Sequence, residues 1–154
     1  MKKTALILIF LISNLIFCQN GKSDLQMETE TKTEFRKLTG KLILEDGQPY
    51  PSQNVIIRGT TIGTLTDFDG KFCLIIPKNK TVFIEVPFCF DQIFREIEPT
   101  DETIELQIGR GKRKTKKALR NYEKIKAELN SELYKIYNSE EYKNAGNICG
   151  QHRL

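Results

Sequence analysis

The run Asp67-Phe68-Asp69-Gly70 places two carboxylates two residues apart, a spacing that calcium-binding loops use. A loop of the EF-hand type beginning at Asp67 would need an oxygen ligand at position 71 and a bidentate glutamate at position 78. Both positions hold lysine, so that type of site is excluded. The run instead predicts a tight turn, in which the carboxylates accept backbone N–H groups and Gly70 takes a positive φ. We therefore assign Asp67, Asp69, Gly70 and Phe72 a structural role at the entry to a strand.

The cysteines are the other candidates for chemistry. Cys149-Gly150-Gln151-His152 has the spacing of half a zinc site, whose other half would have to come from Cys73 and Cys89. A hairpin around Pro77–Lys80 would place Cys73 opposite Ile84, with Cys89 roughly 16 Å farther along the strand. This separation disfavours a metal site and a Cys73–Cys89 disulfide. Cys149 can pair with either cysteine if the tail packs on the domain.

No motif for catalysis is present. The sequence has no HExxH, GxSxG, Walker or dinucleotide-binding pattern, and nothing nominates a particular pair of carboxylates. Its single histidine, His152, lies near the end of the sequence. We therefore predict a protein that is not an enzyme, with no cofactor and no metal; an enzyme with an unrecognised site is the least favoured alternative.

A basic cluster follows the strand-rich part of the chain. It contains seven cations within eleven residues: Arg110, Lys112, Arg113, Lys114, Lys116, Lys117 and Arg120. Residues 19–108 hold fifteen acidic and ten basic side chains, whereas residues 109–154 hold five and twelve. Such a cluster suggests nucleic acid in a cytosolic protein, but behind an export signal an envelope protein or an anionic membrane surface is the better candidate partner. The domain's own acidic part and a merely solvated helix start are the alternatives.

Short apolar runs separated by turn residues predict the elements that position these groups. The predicted strands are Lys41–Glu45, Asn54–Arg58, Ile62–Thr66, Lys71–Ile76, Thr81–Val86, Gln92–Glu98 and Thr103–Ile108. Alternation within them predicts a shared core of Leu42, Leu44, Val55, Ile57, Phe72, Leu74, Ile76, Val82, Ile84, Val86, Ile93, Ile104, Leu106 and Ile108. Seven short strands at this spacing favour a β-sandwich or barrel.

From Lys112 the apolar period changes from two to about 3.6, which predicts an amphipathic helix of about seven turns. Its apolar stripe consists of Leu119, Tyr122, Ile125, Leu129, Leu133, Ile136 and Tyr137. We expect this stripe to pack at least partly on a partner, and Asn147–Leu154 to be frayed.

The N-terminus has the pattern of a secretory signal. Lys2 and Lys3 precede the apolar run Ala5–Phe17, and polar residues follow Cys18. We predict cleavage after Cys18, with lipidation of Cys18 as the less favoured alternative because Phe17 fits a lipobox poorly. Export places the mature protein in the periplasm or at the outer membrane.

One stretch carries a family resemblance. The residues Gly40, Asp46-Gly47, Pro49, Pro51, Asn54-Val55, Gly59–Thr64, Thr66-Asp67, Asp69-Gly70, Phe72, Leu74 and Pro77 resemble the carboxypeptidase regulatory-like domain. The run GTTIGTLTDFDGKF is similar to the branch that precedes the plug of TonB-dependent outer-membrane receptors. The resemblance implies a seven-stranded, transthyretin-like β-sandwich in a cell-envelope setting, and it implies no catalysis.

These inferences give a mainly β protein: signal peptide 1–18, flexible polar leader 19–37, β-sandwich 38–108 and basic helical tail 109–154 with one C-terminal amphipathic α-helix. An edge strand that includes the last residues of the leader is an alternative. The predicted function is that of an exported, non-catalytic binding or assembly module of the envelope, accessory to receptor or transport systems. The first alternative is a structural spacer with the helix packed on the sandwich.

Overall fold

The computed structural model describes residues 32–87, 92–145, 148–149 and the backbone of 152–153. The predicted signal peptide, most of the polar leader, Cys18 and Cys89 lie outside these residues. The described part begins with seven strands: β1 (Phe35–Ile43), β2 (Asn54–Ile57), β3 (Ile62–Leu65), β4 (Lys71–Pro77), β5 (Val82–Val86), β6 (Ile93–Ile97) and β7 (Thr103–Gln107). Helices α1 (Lys112–Asn138) and α2 (Glu140–Ala145) follow, and then the two-residue strand β8 (His152–Arg153).

The strands form two sheets, one with the order β4-β1-β7 and one with the order β6-β5-β2-β3-β8. β1 runs antiparallel to β4 and parallel to β7, and the neighbouring pairs of the larger sheet are all antiparallel. The predicted mainly β fold of seven strands in two sheets, followed by a long helix, is confirmed. Among the described residues, no helix is long and apolar enough to cross a membrane.

β1 begins earlier than predicted, at Phe35 instead of Lys41. Its first seven residues pair with β4, from Phe35 opposite Pro77 to Lys41 opposite Lys71. The sequence pattern did not predict this part of the strand because a segment rich in Arg, Lys and Thr shows little apolar alternation. The last residues of the segment predicted as a leader therefore belong to the sheet.

The predicted hairpin between β4 and β5 is wrong. β4 pairs with β1, whereas β5 lies in the other sheet between β2 and β6. Cys73 consequently lies opposite Thr39, and Ile84 lies opposite Ile57. A chain that crosses between two sheets at Pro77–Lys80 shows the same alternation as a hairpin, so apolar periodicity alone could not separate the two arrangements.

The core contains twelve of the fourteen predicted residues; Leu44 and Ile104 are only partly buried. The sequence pattern missed a second buried layer that includes Phe83 and Phe94. These two side chains lie on the face of β5 and β6 that points away from the smaller sheet, and α1 covers that face. A strand covered on both faces loses its alternation of apolar and polar residues, which explains the omission.

The apolar stripe of α1 packs on the chain's own sandwich. Its buried members are Ala118, Tyr122, Leu129, Leu133, Ile136 and Tyr137. Leu119 is half-buried, and Ile125 is 42% exposed. We expected this stripe to pack at least partly on a partner, but the domain itself supplies most of the apolar contact that a marginal helix needs.

The expectation of a frayed tail is also wrong for the residues that the structure describes. The backbone of His152 and Arg153 pairs with Gly63 and Ile62 at the edge of β3. Cys149 forms a disulfide with Cys73 of β4, with the two Cα atoms 5.1 Å apart. This bridge is one of the two pairings that the sequence left open.

Candidate functional site

The Asp67–Gly70 run forms the predicted turn. The Asp67 carboxylate accepts backbone N–H bonds from Asp69 at 2.9 Å and from Lys71 at 2.8 Å. Gly70 has a φ of +72° and donates its N–H to the Asp67 carbonyl at 2.9 Å. Phe72 then enters the core, where it is 5% exposed. The side-chain hydrogen bonds account for the aspartate at position 67, and the positive φ accounts for the glycine at position 70.

The described residues contain no cluster of three or more histidine, cysteine, aspartate or glutamate side chains that could hold a metal ion. Cys73 and Cys149 are bonded to each other in the structure. The half zinc site considered for Cys149 and His152 therefore lacks a free Cys149 thiol.

The predicted interaction residues form one surface around the start of α1. All seven are exposed, and we call them the basic surface: Arg110, Lys112, Arg113, Lys114, Lys116, Lys117 and Arg120. No described carboxylate forms an ion pair with Arg110, Arg113, Lys114, Lys116, Lys117 or Arg120. Most of this positive charge is thus left uncompensated by the part of the domain that the structure describes.

The helix start adds positive potential to this surface. Gly111 is the N-cap residue, in the left-handed region with a φ of 81°, and no side chain caps the helix. The first turn contains no acidic residue. Its backbone N–H groups and the positive end of the helix dipole consequently lie beside the lysine and arginine side chains. Such an arrangement costs helix stability, so the charges are not placed to stabilise the fold.

Arg95 of β6 fixes this helix start to the sandwich. Its Nη1 donates to Thr115 Oγ1 at 2.6 Å and to the Phe94 carbonyl at 3.0 Å, and Nη2 donates to the Arg110 carbonyl at 3.2 Å. The residue is 8% exposed, and burial lowers the pKa of its guanidinium. Arg95 was not predicted as a site residue. The sequence feature that could have identified Arg95 is its charge between Ile93 and Ile97, at a position where alternation requires an apolar residue.

Acidic side chains face part of the basic surface across a cleft of about 320 Å³. Glu98 and Asp101 line one side of the cleft, and Lys114 and Lys117 line the other. None of these four forms an ion pair with another across it. Asp101 instead accepts the Glu98 backbone N–H at 2.8 Å. Glu98 and Asp101 therefore do not neutralise Lys114 or Lys117 through direct ion pairs.

Comparisons with known proteins find similarity to parts of two receptors. The chain is 32% identical over 91 residues to TonB-dependent receptor P39 of Formosa agariphila, across 50% of this chain and 9% of that receptor. It is 49% identical over 51 residues to TonB-dependent receptor SusC of Bacteroides thetaiotaomicron, across 32% of this chain and 5% of that receptor. The chain thus spans less than a tenth of either relative.

No family model matches the chain. The resemblance to a carboxypeptidase regulatory-like domain is therefore not confirmed; the comparisons show partial similarity to TonB-dependent receptors.

Proposed function

We propose that this protein is an exported, non-catalytic module of the cell envelope, accessory to receptor or transport systems, which attaches to an anionic membrane surface through its basic surface. The partial similarity to TonB-dependent receptors supports the envelope setting. An export signal, periplasmic or outer-membrane localisation and the absence of catalysis are parts of this proposal.

One observation carries the binding role: at least six exposed cations around the start of α1 have no ion-pair partner among the described carboxylates. A solvated helix start would gain stability from acidic residues in its first turn, and this helix has none there. Each lysine or arginine near an anionic bilayer contributes about 1 kcal/mol of attraction. Several cations on one rigid surface can therefore hold a domain at a membrane without inserting it.

The structural alternative rests on a different observation. The helix is packed on the sandwich, with Leu133 fully buried, so the domain could serve as a rigid spacer in an assembly. In that role the charge of the basic surface would have no effect on function. The two proposals differ in whether charge reversal at positions 114 and 117 changes binding.

The test is cosedimentation with vesicles of phosphatidylcholine alone and of phosphatidylcholine mixed with phosphatidylglycerol. The double variant Lys114→Glu/Lys117→Glu should weaken binding to the anionic vesicles by roughly tenfold or more. The matched control is Lys37→Glu/Lys135→Glu, which makes the same change in net charge at exposed positions outside the basic surface. This control variant should lose little affinity for the anionic vesicles.

Binding should also weaken as salt is raised, because exposed charges are screened over about 8 Å at physiological ionic strength. Absence of binding to anionic vesicles at low salt would contradict the membrane proposal and favour an acidic protein partner or the spacer role. Equal losses in both double variants would show that net charge, and not this surface, governs the interaction.

A further inference from the structure

The edge of β3 is covered by a strand from a distant part of the sequence. β3 pairs with β2 on one side and with β8 on the other. Gly63 lies opposite Ile56 of β2 and opposite His152 of β8. β8 consists of two residues, so its own hydrogen bonds to β3 are few. A strand this short needs another attachment to remain on a sheet edge.

The Cys73–Cys149 disulfide supplies that attachment. It joins β4, in the smaller sheet, to a residue three positions before β8, which lies in the larger sheet. The covalent link raises the effective concentration of β8 at the edge of β3. Cys73 and Cys149 are both only partly buried, so a reductant can reach the bond.

We propose that the Cys73–Cys149 disulfide is a redox-sensitive latch that holds β8 on β3, and that its reduction uncovers the β3 edge. The reductant is a dithiol: the Cys73–Cys149 bond breaks, each cysteine gains a hydrogen, and the two sulfurs of the dithiol form a new disulfide. The uncovered edge presents unpaired backbone groups of the kind to which extended segments add. This inference does not depend on the membrane proposal.

The antiparallel ladder shows which amide reports on the latch. The Thr66 N–H donates to the Gln53 carbonyl on the β2 side, at 2.9 Å. Because backbone groups alternate between the two sides of a strand, the Thr64 N–H also faces β2, and the Gly63 N–H faces β8. Gly63 therefore loses its partner when β8 leaves, whereas Thr64 keeps its own.

The experiment is amide hydrogen exchange by NMR on the full chain, in three forms. Cys149→Ser removes the latch, and Cys89→Ser is the matched control that keeps both latch cysteines. The native chain is measured before and after reduction with a small dithiol, and again after reoxidation. In the reduced and Cys149→Ser forms, exchange at Gly63 should accelerate by roughly tenfold or more, with Thr64 changing less than about twofold.

Circular dichroism establishes that each form is folded before exchange is measured. Recovery of slow Gly63 exchange on reoxidation would link the change to the bond itself. Unchanged exchange at Gly63 after reduction would overturn the proposal, since β8 would then stay in place unaided. Equal acceleration at Gly63 and Thr64 would overturn it too, because the disulfide would then stabilise the whole sheet instead of a latch.

Discussion

The Tyr122 ring of α1 lies edge-on to the Phe83 ring of β5, with the centroids 5.3 Å apart and an interplanar angle of 65°. The same ring meets Phe94 of β6 at 5.6 Å, and the Arg58 guanidinium lies 5.9 Å from its centroid. One helical side chain therefore contacts two strands and a charged group in the turn that follows β2. This cluster makes the helix part of the core instead of an appendage that carries charge.

The two phenylalanines around the Asp67–Gly70 turn allow a matched test of the core. Phe72 is 5% exposed and Phe68 is 93% exposed. Phe72→Ala should lower the free energy of unfolding by about 3–5 kcal/mol, because it removes a buried aromatic side chain and leaves a cavity. Phe68→Ala should change it by less than about 0.5 kcal/mol. Urea denaturation measures both, and equal effects would contradict the assigned turn and register.

Gly70 is required for a reason that goes beyond its positive φ. A Cβ atom at this position would collide with the backbone carbonyl of Leu42, whereas Gly47, also at positive φ, has open space around it. Both Gly70→Val and Gly47→Val should incur backbone strain of about 1–3 kcal/mol. Gly70→Val should lower the free energy of unfolding by roughly 1–3 kcal/mol more than Gly47→Val, because the strand must shift to relieve the collision. Similar melting temperatures for the two variants would argue against this close approach.

The sequence identified those parts of the fold that leave a local signature. The seven strands and the long helix follow from apolar periodicity and turn chemistry, and the Asp67 turn follows from its residue types. The crossing at Pro77–Lys80 has no local signature, because partner choice between strands is decided by the whole sheet. The disulfide partner of Cys149 could not be chosen for the same reason: it depends on which strand borders the tail.

The residues of the candidate site were also only partly predictable from the sequence. The seven cations of the basic surface were recognisable as a cluster from sequence, and the structure exposes all of them. Arg95 was not recognised, because its role depends on contacts with Thr115 and the Arg110 carbonyl, twenty and fifteen residues away. Long-range hydrogen bonds of this kind are set by tertiary packing and leave only an anomaly in the strand pattern.

Tyr137 should make stability sensitive to alkaline pH. Burial, and to a smaller extent Tyr142, raise the pKa of Tyr137 well above its ordinary value of 10.0. Below about pH 10 the hydroxyl is protonated in both folded and unfolded chains, so its full contribution is present. As pH rises beyond that value, only the unfolded chain releases the proton, and the free energy of unfolding falls.

Urea denaturation from about pH 9 to about pH 11 measures this loss, whose limiting slope for one group is about 1.4 kcal/mol per pH unit. Tyr137→Phe is the control: it lacks the hydrogen bond from the hydroxyl to the Ile75 carbonyl, which is 3.1 Å long. It should be less stable at neutral pH by about 1 kcal/mol and should show a smaller alkaline loss. The same alkaline slope in both proteins would exclude Tyr137 as its source.

The packing of α1 on the sandwich makes the sharpest prediction, because two tyrosines on that helix differ mainly in burial. Tyr122 is 5% exposed and lies between Phe83 and Phe94, whereas Tyr134 is 72% exposed. Tyr122→Ala should lower the free energy of unfolding by about 3–5 kcal/mol, since it removes the ring contacts and uncovers the outer face of β5 and β6. Tyr134→Ala should lower the free energy of unfolding by less than about 1 kcal/mol, mostly through lost surface contact.

Unfolding of both variants should be followed by helical circular dichroism and by hydrogen exchange of the β5 amides. Coincident transitions in the Tyr122 variant are expected, because helix and sheet share one core; a helix that melts first while β5 stays protected would show that the sandwich folds without it.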